Sequence, residues 1–551
     1  MASRRDRIWT PQEVKGMIAN GHIIVIFEGA VLRLDSWLRK HPGGRLAILH
    51  MVGRDATDEM TVYHSTTTLQ TMRCYQIGRI PSGPWTNLTP PIRGGVYHDS
   101  PMPKNDPDEK SILMEHAPRL GDGVEQLNST SDKRPSGVRS RTCAASDISR
   151  KVSSPSQTEY TDRAVQQAIE QDTRSNPPLD PAVQLRIAEK YRLLHQRVRD
   201  EGLYVCSFIE YGKELARYTS LFLMFLWTLH CAWYLTSAVF LGLFWHQIMF
   251  TAHDAGHLGI THNFKVDTLI GMFVADFCCG MSIGWWKSSH NVHHLVTNQP
   301  EHDPDIQNVP LFATCPSFFR SINSTYYDGF TFAWDAVANF LVPYQQYTYY
   351  PVMGIARFNL YLLSWLHVLS TRSSSLGGSK AWWIRPTEIA FMACYVFLFG
   401  YCLVWRALPT WPIRIAFVLV SHIVTMPLHV QITLSHWGMS TSDLGETESF
   451  PQRQLRTTMD VDCPAWLDFI HGGLQFQAVH HLFPRVPRHN LRKVQVLVRE
   501  FCEDVGISYS IFSFVDGNKK VLGRLDEVSE QLKIMLSCQK HMAKTGQSGL
   551  H

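Results

Sequence analysis

The stretch from His253 to His294 decides the fold of the longest domain, because two histidine clusters flank an apolar interval. The clusters are His253-Asp254-Ala255-Gly256-His257 and His290-Asn291-Val292-His293-His294. Residues three or four apart lie on one face of a helix, so each cluster can direct several imidazoles to one point. Neutral imidazole is the commonest nitrogen ligand of protein-bound metals, including iron. Five histidines exceed the needs of one tetrahedral zinc, so the stretch predicts a helical site for two metals.

A third histidine cluster lies far downstream, in Gln477-Ala478-Val479-His480-His481. No Glu-x-x-His occurs in the chain, which disfavours a di-iron site built from carboxylates. Asp254, Asp303 and Asp305 are candidates to hold imidazole N–H groups behind the metal ligands. Helix capping and loop solvation are the alternative roles of Asp303 and Asp305. The candidate metal ligands are all histidines: His253, His257, His290, His293, His294, His436, His480 and His481.

Uncharged segments predict that this domain crosses a membrane about four times. Residues 218–253 contain no Asp, Glu, Lys or Arg, which gives roughly 54 Å of helix, enough for two short spans with a turn near Thr236. Residues 389–405 and 415–436 provide two more spans. The segments 268–286 and 358–371 are expected to lie in the interface. Two spans before the first cluster and two between the second and third place all three clusters on one side.

The overall composition argues against several other classes of protein. The 551 residues are enough for two or more domains, and the net charge of +4 is too mild to indicate nucleic acid binding. The 12 cysteines form no Cys-x-x-Cys pair, so neither a zinc ribbon nor a disulfide framework is indicated. The first residues lead into no apolar region typical of a cleavable signal peptide. Membrane insertion is therefore expected to depend on internal segments.

A small mixed domain is predicted at the N-terminus, with a strand near Ile23. It contains the tight turn His41-Pro42-Gly43-Gly44 and a second histidine, His64. Glycine and proline let the backbone approach a flat ligand closely. Two histidines on separate loops can clamp an iron porphyrin from both faces, and such ligation leaves no open iron position. The domain is thus expected to carry electrons.

A polar stretch follows, rich in Pro, Ser, Thr, Arg and Asp, from about residue 81 to 180. It has too few large apolar side chains to offset the entropy of ordering, so we expect a disordered linker. Asp180 and Pro181 have the properties of a helix N-cap and first helical residue, which predicts a helix through Arg199.

The N-terminal residues resemble the cytochrome b5 fold over about residues 8–80. The resemblance lies in His41-Pro42-Gly43-Gly44, Gly53-Arg54-Asp55-Ala56-Thr57-Asp58 and His64-Ser65. It implies that His41 and His64 are the two axial ligands of haem b. Met60 stands where an aromatic residue is usual, and the interval before His64 is about a residue shorter than in common microsomal forms.

The second part, about residues 200–510, resembles the membrane fatty-acyl and sphingolipid desaturases through His-x3-His, His-x2-His-His and Gln-x2-His-His. A third motif that begins with Gln477 is typical of the front-end group, which also carries an N-terminal cytochrome b5 domain. The resemblance implies dehydrogenation of a lipid with O2, at a centre of two irons. It further implies electrons from an NADH-cytochrome b5 reductase and an endoplasmic reticulum membrane with the haem domain and histidines facing the cytosol.

The expected architecture is therefore multidomain: an α+β haem domain, a disordered linker, and an all-α membrane domain with about four transmembrane helices and a histidine-rich cap. The expected boundaries are 1–85, 86–180 and 181–510, with a C-terminal tail at 511–551.

Several stretches resemble the fungal sphingolipid Δ8-desaturases, which implies a ceramide substrate. These are the Gly53–Asp58 segment, His302-Asp303-Pro304-Asp305-Ile306-Gln307, and the segment from His429 to Gly438. Gln477 is a candidate to fix the position of the lipid head group. Three alternatives stay open: a front-end acyl-lipid Δ5 or Δ6 desaturase, a lipid hydroxylase with the same histidine motifs, and a non-catalytic haem electron carrier.

Overall fold

The N-terminal domain combines a short sheet with four short helices. The computed structural model describes residues 4–88, 157–370 and 381–545. Strands β1 (Ile24–Phe27), β2 (Ala30–Arg33) and β3 (Gln76–Arg79) form an antiparallel sheet in the order β1-β2-β3. The helices are α1 (Pro11–Ala19), α2 (Arg45–Leu49), α3 (Thr57–Tyr63) and α4 (Thr66–Met72). A Thr10–Glu13 capping box begins α1 and satisfies two backbone donors.

Part of the predicted linker is helical. Residues 89–156 lie outside the described residues, but α5 (Gln157–Ser175) falls inside the segment expected to be disordered. Its Thr161 is fully buried, and the Tyr160 hydroxyl donates to the Gln531 carbonyl at 2.9 Å. The prediction of disorder is thus wrong for residues 157–175, because a partner face elsewhere in the chain covers the few apolar groups of this helix. The next helix, α6 (Pro181–Asp200), begins at the predicted N-cap Asp180.

The membrane region contains the long helices of the second domain. In chain order they are α7 (Phe208–His230), α8 (Tyr234–Gly256), α9 (Phe264–Met272), α10 (Ile283–Leu295), α11 (Ala336–Leu341), α12 (Gln345–Leu369), α13 (Ile384–Tyr395), α14 (Trp411–Ile423) and α15 (Met426–Leu434). A hairpin of β4 (Ile322–Ser324) and β5 (Phe330–Phe332) precedes α11. Among the described residues, four helices are long and apolar enough to cross a membrane: Tyr234–Gly256, Ala336–Leu369, Ile384–Ala407 and Trp411–Leu434.

One predicted span and one predicted interfacial segment need correction. The first, placed near 218–235, is α7, which is not one of the four; its first turns carry charges, including Glu210, Lys213 and Arg217. The segment predicted at 358–371 is not a short interfacial piece, because its residues 358–369 form the end of the helical stretch Ala336–Leu369. By length and composition, one of the four helices contains His253 of the first histidine cluster and three lie between the second and third clusters, whereas the sequence predicted two and two.

The turn expected near Thr236 also lies elsewhere, because α7 ends at His230 and α8 begins at Tyr234. Ala232 in the connection has a positive φ of 59°. Ser237, which the sequence placed in the turn, lies inside α8 and donates to the Phe225 carbonyl at 3.0 Å. Its hydroxyl is thus satisfied within the helix pair, so it does not mark a break.

The C-terminal third consists mainly of short helices and strands, one of which carries the third histidine cluster. Its elements are α16 (Phe450–Thr457), β6 (Asp460–Asp462), α17 (Asp468–His471), α18 (Gln477–Leu482), α19 (Leu491–Val505), β7 (Ile511–Ser513) and α20 (Phe514–Thr545). The predicted tail is structured through Thr545: β7 pairs in parallel with β6, and α20 buries Val521, Leu525 and Leu532 in a core that also contains Trp437.

Candidate metal centre

The first histidine cluster ends a membrane helix. His253 lies in the last turn of α8, and His257 is its C-cap. The rings of these two residues lie 4.8 Å apart between centroids. Gly256 between them leaves room for Trp286, whose ring would overlap any added Cβ. The small residue in the first cluster therefore permits an aromatic ring to pack directly against both imidazoles.

The second cluster follows a sharp break in the chain, where Phe264–Cys278 and Ile283–Leu295 meet at 115°. Non-helical backbone at membrane depth must have its polar groups satisfied by protein. The Trp245 indole donates to the Cys278 carbonyl at 3.0 Å, and the Arg357 guanidinium donates to the Cys279 carbonyl at 3.0 Å. Side chains of two other helices thus pair the carbonyls that the break exposes.

Buried carboxylates pair the amides on the other side of the break. Asp276 accepts from the Ile283 amide at 2.8 Å, and Glu388 accepts from the Gly284 amide at 2.8 Å. Glu388 also accepts from the Ser282 hydroxyl at 2.7 Å. The start of α10 is therefore fixed by three side-chain contacts. This fixes the direction of the helix that carries the second cluster.

Asp303 orients one histidine of that cluster. The His293 Nδ1–H donates to Asp303 at 2.9 Å, which directs Nε2 the other way. Asp303 also accepts a hydrogen bond from the backbone N–H of Asn298 at 2.7 Å. Asp305 lies further off, at 3.7 Å from His293 and 3.9 Å from His290. Of the two predicted carboxylates, Asp303 makes the hydrogen bond to imidazole.

The third cluster is held by two polar side chains. Asp460 accepts from the Ala478 amide at 2.7 Å and so anchors the short helix that carries His480 and His481. Burial raises the pKa of Asp460 to about 6. The His481 Nδ1–H donates to Gln454 at 3.0 Å, and the Gln454 amide donates to the His294 carbonyl at 2.9 Å. Gln454 therefore ties the second and third clusters together.

The histidines converge in two adjoining groups. Within each group, one ring nitrogen of every member lies within 4.8 Å of those of the others. One group is His253, His257, His290 and His480; the other is His293, His436 and His481. His294 belongs to neither group, but its ring stacks on His481 at 4.0 Å and lies 4.8 Å from His257. All eight predicted histidines thus meet in one buried region.

The imidazoles have free nitrogens suited to metal. Four buried nitrogens have no hydrogen-bond partner: His253 Nε2, His294 Nδ1, His436 Nδ1 and His481 Nε2. Burial, together with neighbouring imidazoles, lowers the pKa of His257, His480 and His481 well below the ordinary value. Neutral imidazole is the metal-binding form. An unpaired buried polar atom is costly, so iron fits this donor set.

The N-terminal domain brings its two histidines close together, with their rings tilted by 46°. The rings of His41 and His64 lie 6.0 Å apart between centroids. Each Nδ1–H donates to a backbone carbonyl at 2.8 Å, His41 to Gly44 and His64 to Met60, which leaves both Nε2 atoms free. Burial, and the neighbouring His41, lower the pKa of His64 to about 4. Two neutral imidazoles at this separation fit one haem iron between them.

Comparison with known proteins finds a family match in each of the two domains. The fatty acid desaturase family profile matches residues 229–513, and the cytochrome b5-like heme/steroid binding domain matches residues 10–81. The chain belongs to the fatty acid desaturase family. It is 48% identical to a Delta 8-(E)-sphingolipid desaturase of Emericella nidulans, over 99% of each chain. A protein of the same description from Candida albicans is 44% identical over 98% of each. An acyl-lipid (9-3)-desaturase of Borago officinalis is 37% identical over 54% of this chain and 65% of its own.

The predicted class is thereby confirmed: this desaturase is an O2-dependent oxidoreductase with a fused haem-binding domain and membrane helices. Membership of the family implies iron at the histidine clusters, a lipid substrate, and electron transfer from the haem domain.

Sequence reasoning missed several residues that support the centre. Arg488, buried, forms ion pairs with Asp254 and Glu214, so Asp254 is turned toward the guanidinium and lies 3.9 Å from His253. Asn298 donates to the His436 carbonyl at 2.7 Å and so fixes the fourth-span histidine. Each of these pairs is separated by more than a hundred residues in sequence. Gln454, by contrast, lies only 27 residues before its partner His481 in the third cluster. Gln477 is buried at the start of α18, outside both histidine groups.

Proposed function

We propose that this desaturase introduces a Δ8 double bond, in the E configuration, into the long-chain base of ceramide. The observation that carries the proposal is the extent of similarity. Six relatives named as sphingolipid desaturases match over 96–99% of the chain, including the haem domain, whereas the acyl-lipid relative matches over 54%. The substrate of the former is thus the better expectation for this chain.

The ligand arrangement supports two irons and one non-covalent haem. The two histidine groups each offer at least three nitrogens, enough for one iron apiece, and His294 lies between them. His41 and His64 supply the two axial nitrogens of haem b. Only one cysteine, Cys74, occurs in residues 1–88, so the Cys-x-x-Cys-His motif of covalent haem attachment is lacking there.

The reaction removes two hydrogen atoms from adjacent carbons of the lipid. With O2, two electrons and two protons, the products are the alkene and two waters. Bound iron would supply the activation of O2. The chain's own groups set the geometry: Asp303 holds the proton of His293 at Nδ1, and Gln454 holds that of His481 at Nδ1, so both Nε2 atoms point into the site.

The electron source proposed is an NADH-cytochrome b5 reductase at the endoplasmic reticulum membrane, with the haem domain and histidines on the cytosolic side. The packing of the haem domain against the histidine cap supports one common side, because Val292 and Leu295 of α10 share a core cluster with Val25 and Leu32.

The test is expression in a yeast that lacks long-chain-base Δ8-desaturase activity, followed by mass spectrometry of ceramides and fatty acids. We expect a Δ8-unsaturated long-chain base and an unchanged acyl-lipid profile. His480→Ala, expressed to the same level, serves as the inactive control. New Δ5 or Δ6 fatty acids with unaltered long-chain bases would support the acyl-lipid alternative, and a hydroxylated lipid would support the hydroxylase. Iron content separates the electron carrier, with one iron per chain, from the desaturase, with three.

A further inference from the structure

The haem domain contacts the catalytic domain through the helix that ends next to a haem ligand. This helix, α3, ends at Tyr63, and His64 is its C-cap. Near its start, Arg192 donates to Asp58 at 2.7 Å, and Arg453 lies 3.5 Å from Glu59. A third ion pair joins the two domains elsewhere, Arg45 to Asp328 at 2.5 Å. The first two contacts hold α3 against α6 and α16 of the second domain.

Tyr63 fills the gap between the two histidine sites. Its ring meets the His294 ring edge-on, with centroids 6.2 Å apart and an interplanar angle of 88°. Its hydroxyl is buried and has no hydrogen-bond partner. A buried phenol without a partner is costly, so hydrogen bonding does not account for a tyrosine here. The contact with His294 is therefore made by the aromatic ring of Tyr63 and not by its hydroxyl.

The contact leads directly into the metal-binding region. His294 stacks on His481 at 4.0 Å with an interplanar angle of 19°, and its Nε2 lies 3.0 Å from that of His290. His481 belongs to one histidine group and His290 to the other. A path that reaches His294 therefore reaches both groups within one further contact.

We infer that electrons pass from the haem to the histidine clusters through the ring of Tyr63. The inference rests on the proposed function, since it requires haem at His64 and iron at the clusters. Each double bond requires two one-electron transfers across this contact. In each, haem iron is oxidised from ferrous to ferric and iron at the histidines is reduced from ferric to ferrous. The reductase, or dithionite in a test, restores the ferrous haem.

A second aromatic contact crosses the same interface and offers a competing route. The rings of His50 and His302 lie 5.6 Å apart, and His302 precedes Asp303, the partner of His293. This route starts nine residues from His41 and needs more contacts than the Tyr63 route. His50→Leu is therefore a matched control for Tyr63→Leu: each removes one ring from the interface.

The experiment uses the full-length protein in detergent with haem and iron bound. The haem is reduced with dithionite under nitrogen, excess reductant is removed, and the protein is mixed with ceramide and O2 while haem absorbance is followed. We expect wild type, Tyr63→Phe and His50→Leu to show a fast phase of haem reoxidation. Tyr63→Leu should keep the reduced-haem spectrum and iron content but lose the fast phase.

The outcomes separate the two proposals. A wild-type fast phase that persists in Tyr63→Leu overturns the route and leaves the desaturase assignment intact, as does loss of the phase in Tyr63→Phe or in His50→Leu. Absence of a fast phase from wild type with three irons per chain overturns the electron transfer itself and the proposed function with it. If Tyr63→Leu lacks the haem spectrum, Tyr63→Met is measured in its place, and a retained fast phase there overturns the route.

Discussion

Gly256→Ala tests whether the space at the first histidine cluster is needed by the metal site. The added Cβ would overlap Cζ3 of the Trp286 ring and would lie 2.9 Å from Cε3 and from Cη2. Ordinary carbon contacts are about 3.5–4.0 Å, so clearing Cε3 and Cη2 alone requires a shift of about 0.6 Å, and clearing Cζ3 requires roughly 1.5 Å. That ring stacks on His290 at 4.4 Å and meets His257 at 5.2 Å. The displacement is therefore passed to two candidate metal ligands.

Gly256→Ala should change the free energy of unfolding only modestly but should strongly reduce iron content and product. Replacing glycine by alanine within a helix gains up to about 1 kcal/mol. Overpacking a filled interior costs about 1–3 kcal/mol. The net loss of unfolding free energy is then about 0–3 kcal/mol. Metal sites hold their ligands to within about 0.5 Å, so the same shift should greatly reduce iron content and product.

The assay compares purified variants for iron per chain, product in yeast ceramides, and thermal unfolding. Gly523→Ala is the matched control, because it lies inside α20 and a Cβ there meets nothing within 4 Å. We expect the control to keep full iron and product with unchanged or slightly higher stability. Wild-type iron and product in Gly256→Ala would show that Trp286 yields without disturbing the histidines, and would refute the argument.

Other variants test the remaining contacts. His64→Ala should abolish the reduced-haem absorbance, and a normal spectrum would exclude it as an axial ligand. Asp303→Asn should weaken iron binding by about 10–100-fold, measured by chelator competition; Asp305→Asn, which lies 3.7 Å or more from the imidazoles, should have a smaller effect, and equal effects would contradict the assigned orientation. Arg192→Gln should make haem reoxidation slower and less sensitive to salt, because it removes the ion pair with the buried Asp58 that salt would screen, and unchanged salt dependence would oppose that role in docking.

The histidine clusters could be predicted because their chemistry is local in sequence. Spacings of three and four residues place imidazoles on one helix face whatever the surrounding fold. The supports of the same site could not be found in this way. Arg488 lies 234 residues from Asp254, and Asn298 lies 138 residues from His436. Only the folded chain brings such pairs together.

The docking of the haem domain could not be predicted from the sequence. The composition of the linker predicts disorder but gives no docking position, and the charged residues that fix α3 are spread over the chain. Arg192 and Arg453 contact adjacent carboxylates, Asp58 and Glu59, from two separate helices. Nothing in the residues around either arginine marks it as an interface residue.

The error at residues 358–371 has a physical cause. Searching for uncharged runs assumes that charge is excluded from a span, yet Arg357 lies in the span Ala336–Leu369 and is fully buried. Asp276 and Glu388 are buried in the same way beside the break. Ionisable residues at membrane depth are tolerated when they face the protein interior and have partners.

Those three side chains pair with the backbone of the break before α10, and this explains their presence. A helix that enters the membrane region and turns back exposes amides and carbonyls, which lipid cannot satisfy. Charged side chains make stronger hydrogen bonds to such groups than neutral ones do. The break directs α10, and with it His290, His293 and His294, toward the other clusters. Asp276, Glu388 and Arg357 interrupt the uncharged runs by which membrane helices are recognised in a sequence. The same three side chains help to position the second histidine cluster.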